Sequence, residues 1–332
     1  MATGLSNRRL PITPVPLAAF RDHVEPWIED SVIAGHSPRT LDNRRLITGK
    51  LLWWIEREGG VEVGESEMRL FFLYLRTGHE QEGGRWGPRR DGTPGETEPL
   101  RPSTAKWWHA YLSSLWAHIV RAGGVEESPM LRIPAPRVPR DRILPFTDEQ
   151  ITAMLAAAKR ARYGRRDYAL LLFLFDTGAR AGEACAIRWG DVQLAARRVE
   201  VLGKGNKRRT LCFGKATLDA LLAYGRAIPR NPEDPLFISE RGAAFTVSGM
   251  RRAIKRLGEG AGVVGVRVSP HTFRHAFSLA FVRAGGDALR LQQALGHEQV
   301  SQSLEYLAMG QADLAEAHRS FSPADGLQRR KG

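Results

Sequence analysis

The segment Ser128–Phe146, "SPMLRIPAPRVPRDRILPF", constrains the fold of this chain most strongly. It carries five prolines, and a proline inside a helix removes a main-chain donor and clashes with the preceding turn. Because the segment also lacks a helical period, it predicts an extended linker. A chain of 332 residues can supply two ordinary hydrophobic cores. The linker therefore predicts two domains, one on each side of it.

Four segments with apolar residues at helical spacing precede the linker. They cover residues 16–35, 38–60, 65–78 and 103–123. In the second segment, Ser37 is placed to cap the helix and Pro38 falls in its first turn. Residues 79–102 are rich in glycine, proline and charge, which predicts a mobile surface excursion. We assign residues 13–125 to an all-helical domain and residues 126–146 to the linker.

The second domain begins at Thr147, which has capping-box spacing to Gln150. Helical periodicity recurs over residues 147–161, 166–178, 182–192, 217–227, 247–258, 272–285, 287–295 and from 301 onward. The alternating segments 198–203 and 208–213, joined by a short polar turn, predict a β-hairpin. We therefore predict a mainly α fold with a small antiparallel β-sheet in the C-terminal domain, 147–323, followed by a basic tail, 324–332.

Charge and composition limit the class of partner. The net charge of +13 and a pI near 10.3 favour a polyanion, nucleic acid first. The sequence has no apolar run long enough to span a membrane and no signal-peptide core, so we expect a soluble, cytoplasmic protein. Cys185 and Cys212 lack zinc-site spacing and are interpreted as small buried hydrophobes in a reducing compartment.

Basic residues cluster in several predicted elements. Two basic pairs in one helix fall four positions apart, which concentrates positive charge on one face: Arg251/Arg252 and Lys255/Arg256. Further candidates for DNA contact are Arg44, Arg45 and Lys106 in the first domain and Lys207 in the hairpin turn. For the helical residues a merely solvated surface remains the alternative.

Four separated stretches each supply side chains that can act on a phosphate. They are "TGARAGE" with Arg180 and Glu183, "LGKGNKRR" with Lys204, "SPHTFRH" with His271 and Arg274, and "LGHEQVSQSLEY" with His297 and Tyr306. Each is weak alone, because an arginine at a helix start or a lysine in a turn is commonly solvated. The "HTFRH" stretch lacks the glutamate of the HExxH zinc motif, and we predict no metal site.

Together and in this order, the four stretches resemble the tyrosine recombinase (phage integrase) family over nearly the whole chain. The resemblance implies a two-domain architecture, in which a helical core-binding domain precedes a catalytic domain. It also implies site-specific DNA cleavage and rejoining through a 3′-phosphotyrosyl intermediate. The implied catalytic residues are Arg180, Lys204, His271, Arg274, His297 and Tyr306, with Glu183 in a supporting position.

These residue types suit that reaction. A phenol can hold a phosphate covalently and release it again, although its pKa of about 10 means that ionisation needs help. Guanidinium groups can donate to the oxygens on which charge develops. Lys204 is the candidate general acid for the departing 5′-oxygen, and His271 is the acid/base partner of Tyr306. Since the phosphotyrosine conserves bond energy, we expect no cofactor.

The resemblance further implies a homo-oligomer on a double-stranded DNA recombination site, a tetramer in the synapse. An accessory protein or a partner recombinase is a further candidate partner. A stripe of residues after Tyr306 either packs on its own domain or docks on the next protomer. It consists of Leu314, Ala317, His318 and Phe321.

Two alternative functions stay open: a type IB topoisomerase-like enzyme that relaxes DNA, and a non-catalytic DNA-binding regulator with the same fold. The complete set of six catalytic residues argues against the regulator. Integration, excision and dimer resolution are not distinguished.

Overall fold

The computed structural model describes residues 12–80, 83–139, 144–203, 208–227 and 231–296. The chain divides into two compact units, Met1–Asp141 and Arg142–Gly332. This division lies inside the predicted linker, whereas the domain limits and roles given above stay predictions. The described residues are mainly helical with small antiparallel sheets, which confirms the predicted fold class. None of the described helices combines the length and the apolar composition needed to span a bilayer.

The first unit is built from helices around an aromatic core. Its described elements are β1 (Val15–Pro16), α1 (Leu17–Asp22), α2 (Val24–Ile33), α3 (Pro38–Arg57), β2 (Glu62–Val63), α4 (Glu65–Arg76) and α5 (Pro102–Arg121). Strands β1 and β2 pair antiparallel. The Ser37 hydroxyl accepts the Thr40 N–H at 3.3 Å, as the predicted cap requires. Phe20 and Trp116 meet at the centre with ring centroids 5.3 Å apart.

The first predicted helix, 16–35, is in fact two helices. Helix α1 ends at Asp22, and α2 begins at Val24 after a break at His23. Pro26 lies in the first turn of α2, where the missing main-chain N–H of a proline has no helical partner to lose. The same proline cannot donate to the carbonyl of Asp22, so a continuous helix would lose a hydrogen bond at this point.

In its described residues, 79–80 and 83–102, the segment 79–102 is an anchored loop and not the mobile excursion that its composition predicts. Its two arms are joined by main-chain hydrogen bonds, including Arg85 N–H to the Glu96 carbonyl at 2.8 Å. Trp86 stacks on Trp108 of α5 at 5.7 Å. The arms cross so closely that a Cβ on Gly84 would lie 2.7 Å from the Gly95 Cα. Glycine here permits close packing, a role that composition alone does not separate from flexibility.

The second unit surrounds a buried central helix with further helices and one small sheet. Its described elements are α6 (Asp148–Arg160), α7 (Gly164–Thr177), α8 (Ala181–Ala186), β3 (Val192–Gln193), β4 (Arg198–Leu202), β5 (Arg208–Cys212), α9 (Lys215–Gly225), α10 (Val247–Gly260), α11 (Pro270–Arg283) and α12 (Ala288–Leu295). The strand order is β3-β4-β5, all antiparallel. Helix α7 buries Leu170, Phe173 and Leu174 completely, and α11 packs beside it.

Helix α8 ends earlier than the predicted helix over 182–192. It stops at Ala186, and the chain continues through a short 3-10 turn into β3. Main-chain donors that would extend the helix bond elsewhere: Trp189 N–H donates to the Asp234 carbonyl at 3.0 Å, and Gly190 N–H donates to the Pro232 carbonyl at 2.8 Å. These acceptors lie more than forty residues away in the sequence, so local periodicity does not reveal them.

The cysteines differ from the prediction that both are buried. Cys185 is half-buried, and burial raises the pKa of its thiol to about 11. Cys212 is exposed. It is the last residue of β5, in which only Leu211 is fully buried, so strand alternation turns the cysteine outward.

Candidate active site

Arg180 is placed by a sharp turn between α7 and α8. Gly178 adopts a left-handed conformation, with φ of +59°, at the end of α7. A side chain at Gly178 would also collide with the neighbouring helix, because its Cβ would lie 2.5 Å from Phe277 Cδ1. Arg180 then forms the N-cap of α8, and its side chain remains 39% exposed. The turn therefore directs a partly accessible guanidinium out of the packed core.

Arg274 lies in the second turn of α11 and is almost fully buried, at 5% exposure. Its Nη1 donates to the Gly178 carbonyl and its Nη2 donates to the Leu295 carbonyl, both at 2.8 Å. Both acceptors lie at helix C-termini, where carbonyls lack helical partners and the helix dipole favours a cation. The guanidinium thus joins the ends of α7 and α12.

Three guanidinium groups meet at the C-terminus of α12. Arg209 donates to the Ala294 carbonyl, Arg274 to the Leu295 carbonyl, and Arg180 to the Gly296 carbonyl, the last at 3.2 Å. The acceptors are three consecutive carbonyls that would otherwise lack a donor. The chain that leads to His297 is therefore held by two of the predicted catalytic arginines and by Arg209.

Glu183 connects two of these arginines. It is buried at 6% exposure and accepts the main-chain N–H and Nη1 of Arg180, each at 2.8 Å. It also accepts Nε and Nη2 of Arg209 at 3.2 and 2.7 Å. Burial alone would raise the pKa of Glu183, but the hydrogen bonds and charges of Arg209 and Arg180 hold it below its usual value. The carboxylate is ionised and holds Arg180 by its main chain and its side chain. The supporting role that the family resemblance implies for Glu183 stays a prediction.

Arg209 is the site residue that sequence reasoning missed. A usable signal was present in β5, because residues two apart on a strand share a face and Leu211 is buried on that face. An arginine on the same strand face as a buried leucine indicates an inward-facing cation that needs a partner of opposite charge. The partner, Glu183, is 26 residues earlier in the chain.

His271 precedes Arg274 by one helical turn. Although His271 retains solvent access, desolvation by its surroundings and then the charges of Arg274, Arg267 and Arg180 lower its pKa. The imidazole is therefore neutral at neutral pH and can accept a proton. Its ring lies edge-on to His275, with centroids 4.3 Å apart.

The pKa of His275 predicts a pH-dependent loss of stability. Burial, followed by the effects of His271 and Arg274, lowers this pKa from 6.5 to about 4. Between these two values the unfolded chain binds a proton that the folded chain does not, so stability falls as the pH drops through this window. Between pH 7 and pH 5 we expect His275→Gln to lose about 1 kcal/mol less unfolding free energy than the wild type, after a discount for the partial exposure of the side chain. This difference corresponds to about 2–4 °C in Tm. Thermal unfolding of both proteins at pH 7 and pH 5 measures it, and the same pH dependence in both would contradict it.

Several predicted residues lie outside the described part of the chain. These are Lys204, Lys207, His297, Tyr306, Leu314, Ala317, His318 and Phe321. The described residues next to Lys204, Lys207 and His297 are Gly203, Arg208 and Gly296: β4 ends at Leu202, β5 begins at Arg208, and Gly296 follows α12 in a left-handed conformation with φ of +60°. Of the predicted catalytic residues, the structure brings together Arg180, His271 and Arg274, and Glu183 lies beside them. Among the described residues, no group of His, Cys, Asp or Glu side chains could hold a metal ion.

The basic residues predicted on α10 share one exposed face. Arg251, Arg252, Lys255 and Arg256 are all exposed, while Met250, Ala253, Ile254 and Leu257 are buried on the opposite face. Lys255 pairs with Glu259 at 3.4 Å and Arg256 pairs with Glu240 at 2.8 Å. Arg251 lies close enough to His271 to depress its pKa. In the described part of the chain the ion pairs of this face involve Lys255 and Arg256, and the Arg251 end of the face is beside the predicted site.

In the first unit the predicted basic residues separate. Arg45 and Lys106 are exposed, but Arg44 is buried at 8% exposure. Its guanidinium lies 4.1 Å from the centroid of the Trp27 ring and donates to the Ser31 hydroxyl. Adjacent helical residues point about 100° apart, and in α3 this rotation places Arg44 on the buried side while Arg45 stays exposed. The burial of Arg44 is at odds with the predicted DNA contact, and we assign this residue to the core.

Comparisons with known proteins agree with this geometry. The model of the phage integrase family matches residues 145–311. Tyrosine recombinase XerC of Xanthomonas campestris pv. campestris (strain B100) is 26% identical over 301 residues, which cover 90% of this chain and 88% of that protein. Tyrosine recombinase XerC of Corynebacterium efficiens is 34% identical over 214 residues, 63% of this chain and 68% of the relative.

Solved structures share the fold. The Tn1549 transposon integrase, in complex with circular intermediate DNA, matches with a TM-score of 0.64 and 16% identity, covering 90% of this chain and 98% of that chain. A lambda integrase dimer bound to a core site matches with a TM-score of 0.61 and 16% identity, covering 85% and 96%. The family match spans half of the sequence and contains all six predicted catalytic positions. The chain belongs to the phage integrase family and is a site-specific tyrosine recombinase.

Proposed function

We propose that this recombinase cuts and rejoins double-stranded DNA through a 3′-phosphotyrosyl bond to Tyr306. The observation that carries the proposal is the convergence of Arg180 and Arg274 at the end of α12, ten residues before Tyr306. A guanidinium has five N–H donors, and the recorded bonds of Arg180 to Glu183 and Gly296 use two side-chain donors. Among the described residues these are its side-chain acceptors, so further donors of this partly exposed group can bind phosphate oxygens.

The reaction balances without a cofactor. The Tyr306 oxygen attacks phosphorus, its proton passes to His271, and the bond from phosphorus to the 5′-oxygen breaks. Lys204 supplies the proton that the departing 5′-oxygen needs. Arg180 and Arg274 stabilise charge on the non-bridging oxygens, and His297 donates a hydrogen bond to one of them. A 5′-hydroxyl of the partner strand then attacks phosphorus and releases Tyr306.

A nicked suicide substrate tests the proposed function. The recombination site is first selected by binding from random-sequence duplexes, and a nick beside the scissile phosphate lets the cleaved fragment diffuse away. We expect a covalent protein–DNA adduct that survives denaturation and forms equally well in EDTA. Failure to form an adduct on a tightly bound site would contradict the proposal and favour the non-catalytic regulator. Relaxation of a plasmid that lacks the site would favour the topoisomerase-like alternative.

DNA binding is assigned to exposed basic residues. The α10 face defined by Arg251, Arg252, Lys255 and Arg256 supplies phosphate contacts beside His271, and Lys207 adds one from the hairpin turn. Arg45 and Lys106 contribute from the first unit. Arg45 lies 3.6 Å from Glu25 in an exposed pair, and such a pair costs little to exchange for a phosphate. A DNA substrate also supports a cytoplasmic site of action.

We infer that the protein works as a homo-oligomer, a tetramer in the synapse. The stripe Leu314, Ala317, His318 and Phe321 is assigned to contact with the next protomer. Truncation after Met309 keeps Tyr306 and removes the whole stripe, so we expect normal adduct formation on a single site but at least about tenfold less recombinant product. Product analysis on paired sites measures this. Normal assembly and recombination by the truncated protein would refute the assignment.

A further inference from the structure

Arg209 lies where three elements of the site converge. It belongs to β5, contacts the carboxylate of Glu183 in α8, and donates to the carbonyl of Ala294 at the end of α12. We propose that Arg209 is a positioning residue for strand cleavage, which acts through Glu183 and α12 without touching DNA. This inference rests on the proposed function, because it concerns how Arg180 is presented to the scissile phosphate.

The guanidinium of Arg209 is fully committed to the protein. Its Nε and Nη2 form a two-point contact with the two oxygens of Glu183, at 3.2 and 2.7 Å, and its Nη1 reaches Ala294. The side chain is only 10% exposed. All three guanidinium nitrogens are thus engaged in contacts within the unit, and the side chain has little exposed surface. Arg209 differs in this respect from Arg180, which is 39% exposed.

Glu183 shares each of its oxygens between the two arginines. Oε1 accepts Nη1 of Arg180 and Nε of Arg209, and Oε2 accepts the main-chain N–H of Arg180 and Nη2 of Arg209. Arg209 therefore fixes the plane of the carboxylate and takes up part of its charge. Without that fork, Glu183 can rotate and pair more strongly with Arg180, which withdraws the Arg180 guanidinium from the phosphate.

Arg209 also packs against the chain that leads to His297. A Cβ on Gly296 would lie 2.7 Å from Arg209 Cδ, so the arginine stem occupies the space beside this left-handed residue. On the other side, Arg209 pairs with Val201 across the β4-β5 ladder. One side chain thus sets the spacing between the hairpin, the start of α8 and the end of α12. Displacements of about 1 Å in such a site can cost about a hundredfold in rate.

The test replaces Arg209 by lysine, which keeps the charge but loses the planar fork. The matched control is Arg208→Lys on the adjacent residue, whose side chain is 79% exposed and lies 3.8 Å from Glu200. Single-turnover cleavage of the nicked substrate at saturating DNA, DNA affinity and Tm are measured for both variants. For R209K we expect about 30- to 100-fold slower cleavage, affinity within about twofold of wild type, and a cooperative unfolding transition above the assay temperature. R208K should cleave within about twofold of wild type.

A substrate with sulfur in place of the 5′-bridging oxygen adds a readout that a merely structural role would not predict. A thiolate leaves without needing a proton, so this substrate bypasses Lys204. If Arg209 acts through Glu183 and Arg180, R209K should be slowed by the same factor on both substrates. If R209K instead cleaved the sulfur substrate at the wild-type rate, its defect would lie in how the hairpin places Lys204. That result would overturn the proposal.

Other results also overturn the inference. They are R209K cleavage within about threefold of wild type, a loss of DNA affinity that matches the loss of rate, or an equal defect in R208K. If R209K does not fold at the assay temperature, Arg209→Gln is judged by the same criteria, since its side-chain amide keeps an uncharged N–H donor group. Absence of a wild-type adduct would instead remove the proposed function itself.

Discussion

Phenylalanine in place of Tyr306 is expected to abolish the covalent protein–DNA adduct and to leave DNA affinity within about twofold of the wild-type value. The substitution removes one oxygen and keeps the aromatic ring, so it deletes the nucleophile with little other change. Loss of the nucleophile of an enzyme that works by covalent catalysis costs about 10⁵-fold or more. Cleavage of the nicked substrate, resolved on a denaturing gel, gives the rate, and a binding titration gives the affinity.

A second tyrosine in the same unit supplies the control. Tyr168 on α7 is half-buried, with the Lys159 ammonium 4.6 Å from its ring centroid, and it is not one of the predicted site residues. We expect Tyr168→Phe to form the adduct at the wild-type rate. An adduct that persists in Tyr306→Phe would mean that another side chain attacks the phosphate, and the assignment of Tyr306 would then be wrong.

The electrostatics of the described site explain why a phenol can serve at neutral pH. Its ordinary pKa is about 10, and nearby positive charge lowers the cost of ionisation. The end of α12 is surrounded by the guanidinium groups of Arg180, Arg209 and Arg274. Desolvation, followed by the charges of Arg274, Arg267 and Arg180, lowers the pKa of His271 and keeps it neutral. A neutral imidazole next to concentrated positive charge can receive a proton while the oxyanion and the phosphate are stabilised.

Much of the fold could be predicted from the sequence, because the signals for it are local. Apolar spacing and capping residues define α3 and α6: Ser37 caps the first, and Thr147 with Gln150 forms the capping box of the second. The motifs containing Arg180, Glu183, His271 and Arg274 lie at the ends or first turns of such helices. The resemblance to a family identified these residues together, and the structure places them in one cluster.

The parts that could not be predicted depend on partners far away in the sequence. Arg44 looks like any surface arginine until Trp27 and Ser31 are seen around it. Arg209 finds Glu183 and Ala294 in two other elements. The loop over 79–102 looks flexible by composition, yet Trp86 stacks on Trp108 and holds it. In each case a tertiary contact decides the environment of a residue whose local pattern allows several.

Alanine in place of Arg274 is expected to lower both cleavage and stability, because this residue has two tasks. Loss of a charge-stabilising donor in the transition state costs about 10²- to 10³-fold in cleavage rate. The same change leaves the buried carbonyls of Gly178 and Leu295 without the donors they now have. At about 1–3 kcal/mol for each unsatisfied buried group, we expect a loss of about 3 kcal/mol, or about 6–12 °C in Tm.

Two further variants separate these tasks. Arg283→Ala removes an exposed arginine from the last turn of the same helix, and it should leave rate and Tm nearly unchanged. Arg274→Lys keeps the charge, but a single ammonium cannot reproduce the fork that spans two carbonyls. We expect Arg274→Lys to recover part of the stability while its cleavage rate stays about a hundredfold below wild type.

If Arg274→Lys cleaved at the wild-type rate, a point charge would suffice, and the link between the two carbonyls would be irrelevant to catalysis. If Arg274→Ala kept its Tm, the hydrogen bonds that join α7, α11 and α12 would contribute nothing to holding the site together.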